Sequence, residues 1–273
     1  MEQPREWDGL PVASGAHLLH PHLDIGHRYW KKAILHSPQA YPTVIDATVG
    51  NGHDSIALFE ALMSHPAGGR LLCCDVQPLA IERSQEHLRA ATKDRKEWMW
   101  ECSEGPHWRA KRVGSRSDPR DDESPAFIAI DWHCADHCSL LSDLDPASAS
   151  LVVFNLGYLP GGDKEVYTRA DTTVEALRAA ERAVVAGGCV SATLYPGHAE
   201  GEREEEAVLR HAANLPFGQW SVHYTQWLNQ RNKKDGSRAP SLCLMQRLNA
   251  GRSDGRRPQR AAPGAPLHAP WQG

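Results

Sequence analysis

The sequence of 273 residues lacks any apolar run that approaches the roughly 20 residues needed to cross a membrane. Its first residues, MEQPREWDGLPVAS, hold acids and prolines instead of the apolar core of a secretory signal. The seven cysteines are odd in number, and several lie in apolar segments, as reduced intracellular cysteines do. The sequence therefore predicts a cytoplasmic protein without a membrane partner, with an organelle as the open alternative.

An excess of positive charge is also missing. The formal net charge is −4 at pH 7, so a nucleic-acid partner would require a local basic surface. The fractions of hydrophobic residues (41%) and charged residues (23%) are typical of a globular protein with a core. A chain of this length forms one large domain or two small ones.

Apolar, strand-like segments alternate along the chain with helix-like segments. The predicted strands are TVIDAT, GRLLCCDV, FIAIDW, SLVVFNL and CVSATLYPG. The predicted helices are residues 14–36, HDSIALFEALMSH, PLAIERSQEHLRAA and TTVEALRAAERAVVAGG. Alternation of this kind builds a parallel sheet with helices on both faces. The sequence thus predicts a doubly wound α/β fold.

Two segments lack this periodicity. Residues 93–125 carry mixed charge and three tryptophans, which indicates a partly disordered surface insertion. The end of the chain is rich in Gly, Pro, Ala and Arg, which indicates a disordered tail over residues 249–273. We expect a short N-terminal extension, residues 1–13, and one domain, residues 14–248.

The stretch VIDATVGNGHD, residues 44–54, carries the main signal for a binding site. Two glycines around Asn51 follow an apolar strand and precede a helix, so a ligand can approach bare backbone there. The next strand ends in Asp75, placed to accept hydrogen bonds from ribose hydroxyls. In open α/β sheets, ligands bind outside the carboxyl ends of the strands, where the strand order reverses. We therefore expect a cofactor of the adenosine type.

The fingerprint of a dinucleotide site is incomplete. That fingerprint reads G-x-G-x-x-G, whereas Gly50 and Gly52 are followed by His53 and Asp54 without a third glycine. Asp46, at the end of the preceding strand, suits a cation such as the methionine ammonium better than a pyrophosphate. These residues favour a methyltransferase, and a nicotinamide-dependent oxidoreductase is the rival class.

The fourth predicted strand runs into SLVVFNLGYLPGGDK, with Asn155 at its end. This resembles the Asn-Pro-Pro-Tyr motif of amino-methylating class I methyltransferases, with Leu156 and Gly157 in place of the two prolines. An asparagine carbonyl can hold an N–H of the target amine and point the nitrogen lone pair at the donor methyl group.

Four motifs together, DATVGNGHD, CDVQPLAI, FNLGYLPGGDK and LYPGHAEGEREE, closely resemble the MnmM-type tRNA methyltransferases. The resemblance covers residues 14–248, with departures at Ser55, at Trp132 and in the insertion. It implies a class I, Rossmann-like fold with a mostly parallel seven-stranded sheet whose last strand is antiparallel. It also implies S-adenosyl-L-methionine as cofactor and methylation of the exocyclic amine of 5-aminomethyl-2-thiouridine at the tRNA wobble position.

The resemblance assigns a role to each matching residue. The methionine end of the cofactor would be held by Asp46, Gly50, Asn51 and Gly52, the ribose by Asp75, and the adenine side by Gln77, Trp132 and His133. Asp54 is a further candidate for a cofactor contact, with a role at the start of the helix as the alternative. The acceptor amine would be framed by Asn155 and Tyr158, with cofactor contacts also from Asn155 and from the backbone of Leu156. A lip of the acceptor pocket would come from Tyr195 and His198.

Contacts with tRNA are expected from two basic segments. One is Arg28, Lys31 and Lys32 in the first helix, and the other is NQRNKKDGSR, which includes Asn229, Arg231 and Asn232. The sequence leaves open whether the protein forms a homodimer, whether another RNA or amine is the substrate, and whether the chain is a non-catalytic RNA-binding relative.

A metal site is not expected. The segment His133-Cys134-Ala135-Asp136-His137-Cys138 has a Cys-x-x-x-Cys spacing that zinc can use. No second pair with matching spacing appears in the sequence, and a helix after the third strand explains the segment better. The proposed methyl transfer requires no metal and no covalent intermediate.

Overall fold

The computed structural model describes residues 24–102, 105–113, 126–159, 161, 167–230 and 236–249. The helices in these ranges are α1 (Gly26–Leu35), α2 (His53–Met63), α3 (Pro78–Thr92), α4 (His137–Ser142), α5 (Ala170–Ala183) and α6 (Ala199–Ala213). The strands are β1 (Thr43–Asp46), β2 (Gly68–Asp75), β3 (Trp98–Cys102), β4 (His107–Arg112), β5 (Phe127–Cys134), β6 (Ala149–Asn155), β7 (Val184–Leu194), β8 (Trp220–Thr225) and β9 (Ser241–Arg247). The first part of the predicted N-terminal helix, residues 14–23, and nearly all of the predicted tail lie outside the described residues.

The strands form a nine-stranded sheet in the order β3-β4-β5-β2-β1-β6-β7-β9-β8. The five central strands, β5 to β7, pair in parallel, and β9 runs antiparallel to both of its neighbours. The predicted doubly wound fold with an antiparallel last strand is therefore confirmed. After β1 the chain adds β2 on one side of β1, and after β6 it adds β7 on the opposite side of β6. The strand order therefore reverses between β1 and β6.

Helices cover both faces of the sheet because successive strand residues point to opposite sides. In β1, Val44 belongs to a hydrophobic cluster with the helices α1 and α2, and Ile45 belongs to a second cluster with α4, α5 and α6. Both side chains are fully buried. This two-sided burial explains why the central strands are continuous apolar runs in the sequence.

The tryptophan-rich segment is partly a β-hairpin, and its prediction as a surface loop was wrong for residues 98–102 and 107–112. These residues form β3 and β4, which extend the sheet antiparallel to β5 and raise the strand number from the expected seven to nine. Trp108 is 1% exposed and stacks edge-on against both Trp100 and Trp132. Burial of these rings holds the hairpin on the sheet.

A smaller difference concerns the helix predicted to continue through VVAGG. In the structure α5 ends at Ala183, and Val184 already pairs with Ala149 in the sheet. Among the described residues, no helix is both long and apolar enough to cross a membrane.

Candidate active site

A cavity of about 400 Å³ lies outside the carboxyl ends of β1, β2, β5 and β6. Its position is the point where the strand order reverses, and its volume falls in the range of small-molecule sites. It is bordered by the loop after β1, by the end of β2, by the start of α4 and by the loop after β6. Among the predicted site residues it brings together Gly50, Asn51, Asp54, Asp75, Gln77, Asn155, Leu156, Tyr158 and Tyr195.

The glycine turn after β1 adopts backbone angles that other residues rarely adopt. Gly50 has φ +52° and Gly52 has φ +82°. A Cβ atom on Gly52 would lie 2.6 Å from the Cβ of Ser84, so α2 and α3 can approach each other only because this side chain is absent. Gly50 lines the cavity, whereas Gly52 sits behind it as the residue before α2.

Asp75 ties the glycine turn to the end of β2. Its carboxylate accepts hydrogen bonds from the backbone N–H of Gly50, at 3.0 Å, and of Gln77, at 2.9 Å. A carboxylate offers about four lone-pair positions, so two remain for ligand hydroxyls on the cavity side. Asp75 is thus held in place before any ligand arrives.

A hydrogen-bonded network joins α1, α2, β6 and β7 at the floor of the cavity. Asp54 accepts from the Nδ2 of Asn155 at 2.9 Å, and its other oxygen lies 3.0 Å from the Nε2 of His27. The backbone N–H of Asn155 donates to Thr48 Oγ1, and the Asn155 side chain is hydrogen-bonded to the hydroxyl of Tyr195. Burial and the nearby Asp54 charge raise the pKa of Tyr195 to about 12, so this hydroxyl stays protonated. His27 and Thr48 are members that the sequence analysis missed.

Asp46 does not reach the cavity, contrary to the role expected for it. Its side chain is fully buried, and its carboxylate accepts from the hydroxyl of Ser55 at 2.5 Å and from the N–H of Thr48 at 3.3 Å. Burial and the neighbouring Asp54 raise the pKa of Asp46 to about 7. Asp54 is the carboxylate that the cavity presents near the glycine turn.

Trp132 and His133 are likewise not among the residues that border the cavity. Because side chains alternate along β5, Trp132 points into the core against Trp108, where it is 4% exposed. The corresponding wall of the cavity is formed by the turn after β5, with Ala135, Asp136 and His137. From the sequence this segment was expected to begin a helix rather than bind zinc, and no cofactor contact was predicted for Ala135, Asp136 or His137.

A further part of the cavity border is formed by the loop after β6. Tyr158, which is 49% exposed, forms an isolated bridge with Tyr167, and both border the cavity. The N–H of Gly157 donates to the hydroxyl of Thr168, which in turn donates to the buried carboxylate of Glu204. This loop is therefore anchored to α6 from behind.

Two predicted RNA or acceptor residues, His198 and Asn229, lie away from the cavity. His198 is exposed and does not border the cavity; its Nδ1 accepts from the N–H of Gly201 and so caps α6. Asn229 is exposed in the segment after β8. Arg231 and Asn232 lie outside the described residues. Within the described part of the chain, no three His, Cys, Asp or Glu side chains are grouped so that they could hold a metal ion.

The sequence is similar to known methyltransferases. Residues 117–240 match a family model described as "Putative rRNA methylase". Over 211 residues the chain is 34% identical to a protein of Arabidopsis thaliana named "tRNA (mnm(5)s(2)U34)-methyltransferase, chloroplastic". This match covers 76% of the chain but 64% of the relative, so the chain spans less than two-thirds of that protein.

Solved structures have the same fold. A crystal structure described as a "putative rRNA-methylase" from Clostridium thermocellum is 25% identical, with a TM-score of 0.62, over 84% of this chain and 99% of that one. Another, a "putative methyltransferase" from Streptococcus mutans in complex with S-adenosylhomocysteine, is 22% identical, with a TM-score of 0.57, over 85% and 100% of the two chains. The chain therefore has the class I methyltransferase fold, and its resemblance to a tRNA wobble-uridine methyltransferase is confirmed at the level of sequence.

Proposed function

We propose that the protein is an S-adenosylmethionine-dependent methyltransferase that methylates the exocyclic amine of 5-aminomethyl-(2-thio)uridine at the tRNA wobble position. The observation that carries the proposal is that Asp75, the Gly50 turn and Asn155 border one cavity. The relative from Arabidopsis, which is named for such a reaction, supports the choice of substrate.

The residues that border the cavity fit the cofactor. Asp75 keeps lone pairs for two ribose hydroxyls, while Gly50, which has no side chain, lets the methionine end approach the turn closely. Asp54 provides a carboxylate for the methionine ammonium. Gln77, Ala135 and Asp136 would border the adenine. S-adenosylmethionine supplies an activated methyl group on a sulfonium when it is bound there.

Asn155 is the residue that would orient the acceptor. Its Nδ2 donates to Asp54, and the hydrogen bond between its side chain and Tyr195 lowers the tyrosine pKa, as donation from the amide does. These bonds fix the amide plane, and the carbonyl oxygen of the same amide has two lone pairs that can accept. This oxygen can accept one N–H of the target amine and hold the nitrogen in line with the methyl donor. Correct positioning is the main contribution that a site of this kind makes to the rate.

The amine must be neutral to accept a methyl group. Alkylamines titrate well above pH 7, so most of the free substrate is an ammonium. Leu156 and Leu159 are both buried and border the cavity. An apolar border of this kind disfavours the ammonium and lowers its pKa, which helps the substrate to lose the proton.

The partner in this proposal is tRNA, and the compartment is the cytoplasm. The name of the relative contains the word chloroplastic, so an organelle is the alternative compartment. Microscopy of the tagged full-length chain distinguishes the cytoplasm from an organelle. Light scattering at several concentrations distinguishes a monomer from a homodimer.

Nucleoside mass spectrometry tests the proposal. The protein is incubated with S-adenosylmethionine and tRNA that carries 5-aminomethyl-2-thiouridine, and the digested nucleosides are compared with a reaction that lacks the cofactor. We expect the nucleoside to gain one methyl group. If cofactor binding is shown separately and no methylated nucleoside forms, the substrate is wrong and the fold-level assignment stands.

A further inference from the structure

A second concave surface lies far from the cavity, between the end of α3 and the hairpin strand β3. It is an open groove of about 440 Å³. The residues that define this basic groove are Arg89, Lys93, Arg95, Lys96, Trp98 and Trp100. The groove exists because β3 and β4 extend the sheet beyond β5 and stand beside α3.

The groove is positively charged although the whole chain is acidic. Two lysines and two arginines line it, and the carboxylates of Asp94 and Glu97, which are adjacent in the chain, are exposed outside its lining. Lys93 and Lys96 are exposed, and neither forms an ion pair with any residue that the structure describes. Arg95 is paired with Glu60 from α2, which fixes its position at the rim. In a protein of net charge −4, such a local concentration of cations favours a polyanionic partner.

The floor of the groove is rigid and aromatic. Trp98 is 8% exposed and lies under the guanidinium of Arg112, while Trp100 stacks on Phe59 at a centroid distance of 5.6 Å. Long cationic side chains pack their methylene stems on apolar surfaces of this kind and keep their charged ends in water. Lys93 and Lys96 line the same groove as these two rings, so it combines positive charge with an aromatic surface.

We propose that the basic groove binds the phosphate backbone of the RNA substrate at a distance from the target base. The proposal rests on the proposed function for the identity of that RNA as tRNA. Gln77 borders the cavity and directly precedes α3, whereas Thr92 at the end of α3 lines the groove. A helix of 15 residues is about 22 Å long, so one nucleotide cannot occupy both places, but a folded RNA spans both.

Phosphate contacts of this kind position an RNA without reading its sequence. They would add to any contact from the segment around Asn229, which the sequence analysis favoured. They also give the tryptophan-rich hairpin a function, because β3 forms the aromatic floor of the groove and the end of α3 supplies cations beside it.

The double variant Lys93→Gln/Lys96→Gln tests the groove, since both side chains are exposed and neither borders the cavity. The matched control is Arg178→Gln/Arg210→Gln, which removes two exposed cations from α5 and α6 on the opposite face of the sheet. Fluorescence anisotropy measures the Kd for full-length tRNA at several KCl concentrations. Calorimetry with S-adenosylhomocysteine checks that each variant keeps its cofactor site.

We expect the groove variant to bind tRNA about five to ten times more weakly at low salt, and the slope of log Kd against log salt to fall by about 1 for each lost phosphate contact. The control should bind as the wild type does. If the groove variant keeps the wild-type Kd and salt slope, the groove proposal is wrong, even where methylation of tRNA is observed. A groove-dependent Kd without any methylation would retain the groove and reject the proposed reaction. Binding to anionic lipid vesicles with none to tRNA would also overturn the groove proposal.

Discussion

At the scale of single residues, Asn155 is hydrogen-bonded to three other residues of the candidate site. It receives support from Thr48 through its backbone and contacts Asp54 and Tyr195 through its side chain. We predict that Asn155→Ala lowers the rate of tRNA methylation by about 100-fold, because the acceptor amine loses its orienting oxygen. The measurement is single-turnover methylation with mass-spectrometric detection.

The control for this variant is Asn214→Ala, which removes the same amide group from an exposed position after α6. Both variants should bind S-adenosylhomocysteine with a Kd close to that of the wild type. Near-full activity of Asn155→Ala would show that the asparagine only shapes the turn after β6.

Asp46 makes the stability of the protein depend on pH. Its folded pKa of about 7 lies above the value of about 3.9 for an unfolded aspartate, so between these values the folded state binds more protons. The free energy of unfolding should therefore fall as the pH rises from 4 to 7. Asp46→Asn cannot ionise, so its melting temperature relative to the wild type should increase from pH 5 to pH 8.

Differential scanning fluorimetry at half-unit pH steps measures this effect. The control is Asp171→Asn, which removes an exposed carboxylate at the start of α5. Its difference from the wild type should stay nearly constant over the same range. A constant difference for Asp46→Asn as well would mean that Asp46 is charged at pH 5 in the folded protein.

At the scale of elements, the hairpin β3–β4 is the largest difference between the structure and the sequence-based prediction of a surface loop. Trp108 is its anchor, since its ring contacts Trp100, Trp132 and the guanidinium of Arg89. We predict that Trp108→Ala lowers the free energy of unfolding by about 3–5 kcal/mol, as buried aromatic truncations do. Urea denaturation followed by circular dichroism measures this difference.

Met99 on β3 is the matched control, because it is 54% exposed on the same hairpin. Met99→Ala should change the free energy of unfolding by less than about 0.5 kcal/mol. Equal small effects for both variants would contradict the packing role of the hairpin.

The hairpin could not be recognised from the sequence pattern, for a physical reason. The strand β4 has one face against the core and one face in water, so Trp108 and Ala110 alternate with Arg109 and Lys111. In a segment of only six residues with a high charge, such alternation is easily taken for a loop. The central strands, buried on both faces, gave a much clearer pattern.

At the scale of the whole molecule, the cavity connects four strands, so a bound ligand should stabilise the fold globally. A ligand at 100 times its Kd adds about 2.7 kcal/mol to the free energy of unfolding. For a domain of this size, this corresponds to a rise in melting temperature of about 5–10 °C. We predict such a rise with S-adenosylhomocysteine and none with NAD.

Gly52→Ala supplies a comparison for this measurement. Its Cβ would collide with Ser84 and would require a left-handed backbone, so the glycine turn must shift. The variant should lose most of the ligand-induced rise in melting temperature. A rise with NAD but not with S-adenosylhomocysteine would favour the oxidoreductase that the sequence left as a rival.

The sequence by itself determined the class of fold and the edge of the sheet, at the carboxyl ends of its strands, where the site lies. Alternating apolar strands and amphipathic helices leave few arrangements other than a doubly wound sheet, and the glycine turn and Asn155 follow strands whose carboxyl ends share one edge. Only the tertiary structure decided which carboxylate faces the cavity. Asp46 and Asp54 are eight positions apart in the chain and both are buried, but the packing of α2 against β1 places only Asp54 at the border of the cavity. Contacts such as Asp54 with His27 and Asn155 join distant parts of the chain, and no local pattern records them.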